Sequence, residues 1–292
     1  MNTPGWFAAL LQVIINGLLV GGVYALSAAG LNLVFGVLKV ANIAHGDFMM
    51  LGAMTAYAVS LKLGLSPYAA MLVAAIVLAG IGALTQRFLV ERVIHSPMFV
   101  SLLLLFAVSM ILRNGALHVW GPTYVSLSHD SSVWTVGPLS FTKLRVAVFA
   151  LGLGLTLALL WLLQKTAFGQ SLRATAQHMD LAEACGINVR RVRMQAFALG
   201  TAIAAMSGAL LVMLFSVNPS MGEIFVLKCF AIVVVGGLGS FSGAFAGAMI
   251  IGVAETLTSY YAATQLSDVT VFLLFLIVLV FRPSGVLGGK AT

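Results

Sequence analysis

Long runs without a charged side chain recur along this sequence, and they limit its possible folds more than any other feature. The stretch 9–36, ALLQVIINGLLVGGVYALSAAGLNLVFG, carries no Asp, Glu, Lys, Arg or His over 28 residues. Only 8% of the 292 residues are charged and 61% are hydrophobic, against about a quarter charged in soluble domains. No soluble fold covers that much apolar surface, and a membrane β-barrel would show short alternating segments instead. The chain is therefore expected to be an all-α polytopic transmembrane bundle, a single domain over 1–292. Its N-terminal run has no Lys or Arg before it, so it reads as a retained first span and not a cleaved signal.

A span needs about 20 apolar residues at about 1.5 Å each. That ruler predicts spans at 9–36, 45–62, 67–86, 97–119, 146–164, 194–215, 224–239, 243–262 and 269–281. The first is long enough to tilt, bend or break at Gly30, Asn32 or Gly36, and the seventh is short, so eight or nine spans are expected. With the polar island 165–193 inside, ten of the fifteen Lys and Arg fall on the cytoplasmic side, Lys290 among them. Lys62, Lys143 and Arg145 fall outside. This asymmetry accounts for the net charge of +7 without nucleic acid, and puts the C-terminus in the cytoplasm and 120–145 in an external loop. Gly243 and Gly247 share one helix face where a neighbouring backbone can approach, and 36–57 has a texture related to this 233–252 stretch, a hint of an internal repeat.

Chemistry-bearing constellations are scarce. His45 and Asp47 are two apart, off a shared helix face, and no other His or Cys joins them as a metal set. Residues 239–243, GSFSG, carry Phe241 where a nucleophile elbow needs Ser, and no Gly-Lys-Ser/Thr phosphate loop is present. No catalysis, metal or cofactor is expected on this chain, and Cys185 and Cys229 read as packing residues. Glu255 lies inside a span, where an ionisable group is either functional, bonded to a neighbouring helix, or snorkelling. Glu223 and Lys228 read as an interfacial pair and Arg113 as a snorkelling side chain.

The island, KTAFGQSLRATAQHMDLAEACGINVRRVR, contains helix punctuation. Asp180 can cap a helix start with Glu183 in capping-box position, and Gly186 can end it in a left-handed turn. A helix of one or two turns is unstable alone. It is either an ordinary amphipathic loop, with Arg190, Arg191 and Arg193 anchoring the next span, or a coupling helix that seats in a motor protein.

Three blocks, GLNLVFGVLKVANIAHGDFMMLGA at 30–53, the 169–210 segment, and VVVGGLGSFSGAFAGA at 233–248, resemble the signature regions of branched-chain amino acid ABC importer permeases of the LivH type. The resemblance implies a bacterial inner-membrane permease that moves branched-chain or other hydrophobic amino acids into the cytoplasm. It implies a second related permease, in a heterodimer or homodimer, two ATPase subunits that use the ATP, and a periplasmic solute-binding protein. The coupling region then maps onto Asp180, Glu183, Ala184, Gly186, Ile187 and Asn188, with Asn16, Asn32 and Glu255 as pathway or interface candidates. Urea, short-amide and aromatic-acid importers share the family, and an ion-coupled carrier using Glu255 or Asp47 is the reading from another class.

Overall fold

The computed structural model describes residues 5–94, 96–127, 132–282 and 285–286. Lys290 lies outside them. Helix α1 spans Gly5–Leu38 and α2 His45–Leu63. Helix α3, Pro67–Thr85, starts with Pro at its first position behind a Ser66 cap. It continues through a π-helical turn, Gln86–Val90, into α4, Glu91–Val93. Then come α5 (Met98–Trp120), strands β1 (Val133–Val136) and β2 (Leu139–Thr142), and α6 (Lys143–Lys165). The island forms α7 (Ala167–Gln177) and α8 (Met179–Ala184), followed by α9 (Val189–Leu214). Helices α10 (Met221–Gly236), α11 (Phe241–Tyr261) and α12 (Ser267–Phe281) complete the bundle.

Each expected span has its helix, but among the described residues seven helices are long and apolar enough to cross a membrane, and α2 and α10 are not among them. Both begin in the interior. A ring nitrogen of His45 lies 3.0 Å from the carbonyl of Ser27, 11 residues before the end of α1 and so about 16 Å along its axis. The start of α10 packs against the start of α2, where a Cβ on Gly222 would lie 2.5 Å from Asp47 Oδ1. Loops 39–44 and 215–220 thus lead back into the bundle from opposite ends. Both carry the pattern Asn-x-x-x-Gly-acid, Asn42 to Asp47 and Asn218 to Glu223. The repeat partner of 36–57 is therefore the segment leading into α10, and not the 233–252 stretch that composition suggested.

Helix α1 does not break at Gly30, Asn32 or Gly36. It runs unbroken through 34 residues because Gly30 sits against α9, where an added Cβ would meet Gly200 O and Ile203 at 3.1 Å. Close backbone approach recurs between α10 and α11. A Cβ on Gly247 would lie 2.6 Å from Ile232 O, and one on Gly243 would overlap Gly236 O. A Cβ on Gly252 would lie 2.6 Å from Gly17 O of α1, on another side of α11. Small residues here let helices approach to backbone contact, and dispersion between them replaces the hydrophobic drive that lipid removes.

The all-α expectation misses a hairpin in the 120–145 loop. Strands β1 and β2 pair antiparallel, with Val136 opposite Leu139 across Gly137 and Pro138. Gly137 takes φ +60° at the first turn position, where primed hairpin turns need a positive φ. The hairpin is tied to α1 by Gln12, whose amide donates to Ser140 O at 2.8 Å and accepts from Ser140 N at 2.9 Å. Residues 125 and 127 of the same loop bond to Val217 and Val212 at the far end of α9. The start of α1 and the end of α9 therefore share the hairpin end of the bundle, opposite the island.

Candidate functional site

The island is held to the bundle by its last turn and by one buried ion pair. Thr166 caps α7, accepting from Gly169 N at 3.1 Å. Helix α8 closes with Gly186 N donating to Glu183 O at 2.9 Å and Ile187 N to Ala182 O at 3.0 Å. With Gly186 at φ +84°, this is a Schellman ending. Asn188 then caps α9, accepting from Arg191 N at 2.9 Å. The expected capping box does not form: His178 occupies the cap position without a side-chain bond, and Asp180 is already the second helical residue. Ala182 faces the bundle, while Asp180, Glu183, Ala184 and Gly186 are exposed and Leu181 is 63% exposed. The result is a short, rigid, outward-facing knob with an apolar tip.

Arg193 is not a surface anchor. It is buried, with its Nη2 2.5 Å from Glu91 Oε1, and Nη1 lies 3.7 Å from Met179 Sδ. Glu91 also accepts from the Gln86 amide at 3.0 Å. One arginine of α9 thereby joins α4 to the first residue of α8. Arg190 reaches the same carboxylate only at 3.9 Å and is mostly exposed.

Buried Asp47 and exposed Glu223 stand at the third residue of α2 and α10, where an acid complements the partial positive charge of a helix start. Arg113 of α5 reaches both, with Nε 3.8 Å from Asp47 Oδ1 and Nη1 on Glu223 Oε1. It is a staple across two helix starts and does not snorkel. Glu223 and Lys228 are not each other's partners. Lys228 Nζ instead bonds Glu255 Oε1 at 2.7 Å and Asp268 Oδ1 at 2.8 Å, joining α10, α11 and α12. Its ammonium also lies within 6 Å of the Phe225 and Tyr24 ring centroids.

The other singled-out residues divide between two clefts. Asn16 and Glu255 line one of about 370 Å³ toward the hairpin end, shared with Tyr24, Phe225 and Lys228. Asn32 accepts from Gly239 N at 2.9 Å and lines a separate cleft of about 530 Å³ toward the island, with Lys39 and Arg173. Sequence reasoning missed Glu91, Arg113 and Asp268 as network members. Each acid or base looks isolated in sequence, and its ion-pair partner is 40 to 110 residues away. The repeated Asn-x-x-x-Gly-acid pattern was the available signal for the two acids that Arg113 joins.

Comparison with known proteins agrees with this architecture. The high-affinity branched-chain amino acid transport system permease protein LivH of Salmonella typhimurium is 32% identical over 297 residues, covering 97% of this chain and 96% of that protein. BraD of Pseudomonas aeruginosa, described in the same words, is 31% identical and covers 95% of each chain. A probable LivH of Methanocaldococcus jannaschii is 30% identical over 87% of this chain and 82% of its own length. The family model for the permease component of branched-chain amino acid transport systems matches residues 13–279. With nearly its whole length matched, the chain belongs to that permease family.

Proposed function

We propose that this chain is the transport subunit of an ATP-driven importer that carries branched-chain or other hydrophobic amino acids into the cytoplasm. All nine long helices act as passes, with α2 and α10 entering from the interior, the N-terminus outside and the C-terminus in the cytoplasm. The relatives' function supports the transport assignment, and the excess of basic residues near the island supports the orientation. Two ATPase subunits, a second related permease and a periplasmic binding protein complete the machine, and ATP is hydrolysed on the ATPases.

The observation that carries the mechanism is the α8 knob: exposed on its outer side, closed by Gly186, and tied through Met179 and Arg193 to Glu91. A push on such a knob is delivered to α4, and so to α3, as a rigid displacement, because the tie is buried and packed. The glycine contacts of α1, α10 and α11 leave no slack to absorb it. Selectivity then rests largely with the binding protein, which suits spans with so few polar groups.

Affinity purification in detergent with mass spectrometry tests the assembly, the expected result being recovery of an ATPase pair and a second permease. Gly186→Pro and Ala184→Glu test the knob. Both are expected to leave the chain inserted while uncoupling ATP hydrolysis from uptake, and normal uptake in both would remove the coupling role. Recovery of this chain alone, transporting under an ion gradient, would favour an ion-coupled carrier instead.

A further inference from the structure

The cleft toward the island lies between the ends of α1 and α6, helix α7 packed against both, and the turn that leads into α11. The polar side chains that line it are Asn32, Lys39, Gln164, Arg173, Gln177 and Ser242. Each can donate a hydrogen bond, and none is an acid. Lys39 and Arg173 have no acid within ion-pair distance among the described residues, so the cleft carries two unpaired positive charges. Arg173 uses one donor on the carbonyl of Leu163, which sets its guanidinium against the end of α6. Asn32 stands six residues, about 9 Å, before the end of α1 and is buried. Its oxygen accepts from Gly239 N, but its amide nitrogen is buried with no hydrogen-bond partner. A buried donor left open is costly, and this wall offers it no acceptor.

Two further observations bear on what fills the cleft. Lys39 takes φ +56°, and among the described residues no other non-glycine residue has a positive φ. Glycine is the residue that such a helix end favours, so the lysine keeps a strained backbone and contributes its side chain to the cleft. The face of α6 that lines the cleft with Leu160 and Gln164 also carries Leu157 and Trp161, both mostly exposed, and the helix ends at Lys165. An exposed Trp one turn before a terminal Lys marks the level of the lipid headgroups.

We propose that this cleft binds one anionic phospholipid from the leaflet on the island side. The lipid phosphate takes Lys39 and Arg173, an ester carbonyl takes the open amide of Asn32, and an acyl chain leaves along Leu160, Leu157 and Trp161. A free phosphate would leave most of the 530 Å³ and its apolar wall of Leu33, Val37 and Leu160 unfilled, whereas a lipid fills both parts. Basic pockets between helices at the cytoplasmic membrane surface hold headgroups of this kind. The bound lipid joins the end of α1 to α7, the helix that leads into the α8 knob. The site depends on neither the importer reading nor the identity of the transported solute.

The test uses the assembled complex in phosphatidylcholine nanodiscs and reads the fluorescence of Trp161, isolated as the difference from Trp161→Phe. Phosphatidylglycerol with brominated acyl chains quenches that signal on contact, and brominated phosphatidylcholine is the control for ordinary annular lipid. Two bases are expected to favour the anionic lipid about 30-fold. With one lipid in ten brominated, the site is then about three-quarters filled by phosphatidylglycerol but only about one-tenth by phosphatidylcholine. Lys39→Gly or Arg173→Gln leaves about a fivefold preference, and filling by phosphatidylglycerol falls to about a third. Lys39→Gly also relaxes the strained helix end, so its loss of quenching reports the missing charge and not a damaged fold. Equal quenching of the wild type by the two brominated lipids overturns the site. Excess quenching that survives unchanged in both variants places the lipid elsewhere and overturns it as well. If inorganic phosphate removes the excess where chloride of equal ionic strength does not, the cleft is a soluble-phosphate site and the lipid assignment falls.

Discussion

Replacing Arg193 by Met removes one partner of the ion pair that ties α9 to α4 and α8. Glu91 has a side chain only 12% exposed, and Arg193 only 7%. After the change Glu91 keeps the Gln86 amide at 3.0 Å and the exposed Arg190 at 3.9 Å, a contact worth little in solvent. Breaking a buried pair from one side costs about 3–5 kcal/mol, because the remaining charge stays desolvated. On the scale of soluble domains this is a fall in melting temperature on the order of 10 °C. Adding Glu91→Gln removes the stranded charge and is expected to recover most of the loss. In a Cys185→Ser background, which removes the exposed thiol, a thiol-reactive dye reads the unfolding, because Cys229 is buried and reports only when the bundle opens. The reasoning is refuted if Arg193→Met melts with the wild type, or if the double variant loses the sum of the two single losses.

Three further outcomes follow from the same geometry. Gly247→Ala places a Cβ 2.6 Å from Ile232 O and is expected to destabilise by about 1–3 kcal/mol, whereas Gly154→Ala, with nothing within 4 Å, stays near neutral; paired melting curves check this. Lys39 ends α1 at φ +56°, so Lys39→Gly is expected to stabilise by about 1 kcal/mol, measured in the same assay. Gln12→Ala removes both bonds from α1 to Ser140, and hydrogen exchange at Leu139–Thr142 is expected to quicken with no change in the island.

Much of this fold was legible because a bilayer imposes one ruler. Apolar run length located every long helix to within a few residues, and Gly243 and Gly247 shared a face in sequence as they do against α10. What lay beyond reach was depth and partnership. Nothing in the run 45–62 says that His45 starts beside Ser27, because hydropathy records length and not where a helix begins along the membrane normal. The ion pairs of Arg113 and Lys228 join helices remote in sequence, so Arg113 read as snorkelling and Lys228 as paired with its neighbour Glu223. The capping box at Asp180 failed for a local reason: Met179 already has helical geometry, which moves the cap to His178. Gly186, by contrast, was legible, since a left-handed C-terminal turn demands that residue type.

The central claim, that α8 docks an ATPase, is most directly tested with Cys185 at the end of that helix, because the chain's other cysteine is buried. The rate of maleimide labelling is measured in inside-out membrane vesicles, with the permeases expressed alone and together with their ATPases. The account predicts rapid labelling from the cytoplasmic side that slows sharply once the ATPases are present. Labelling from the opposite side, or an unchanged rate in a complex that hydrolyses ATP and transports, would contradict it.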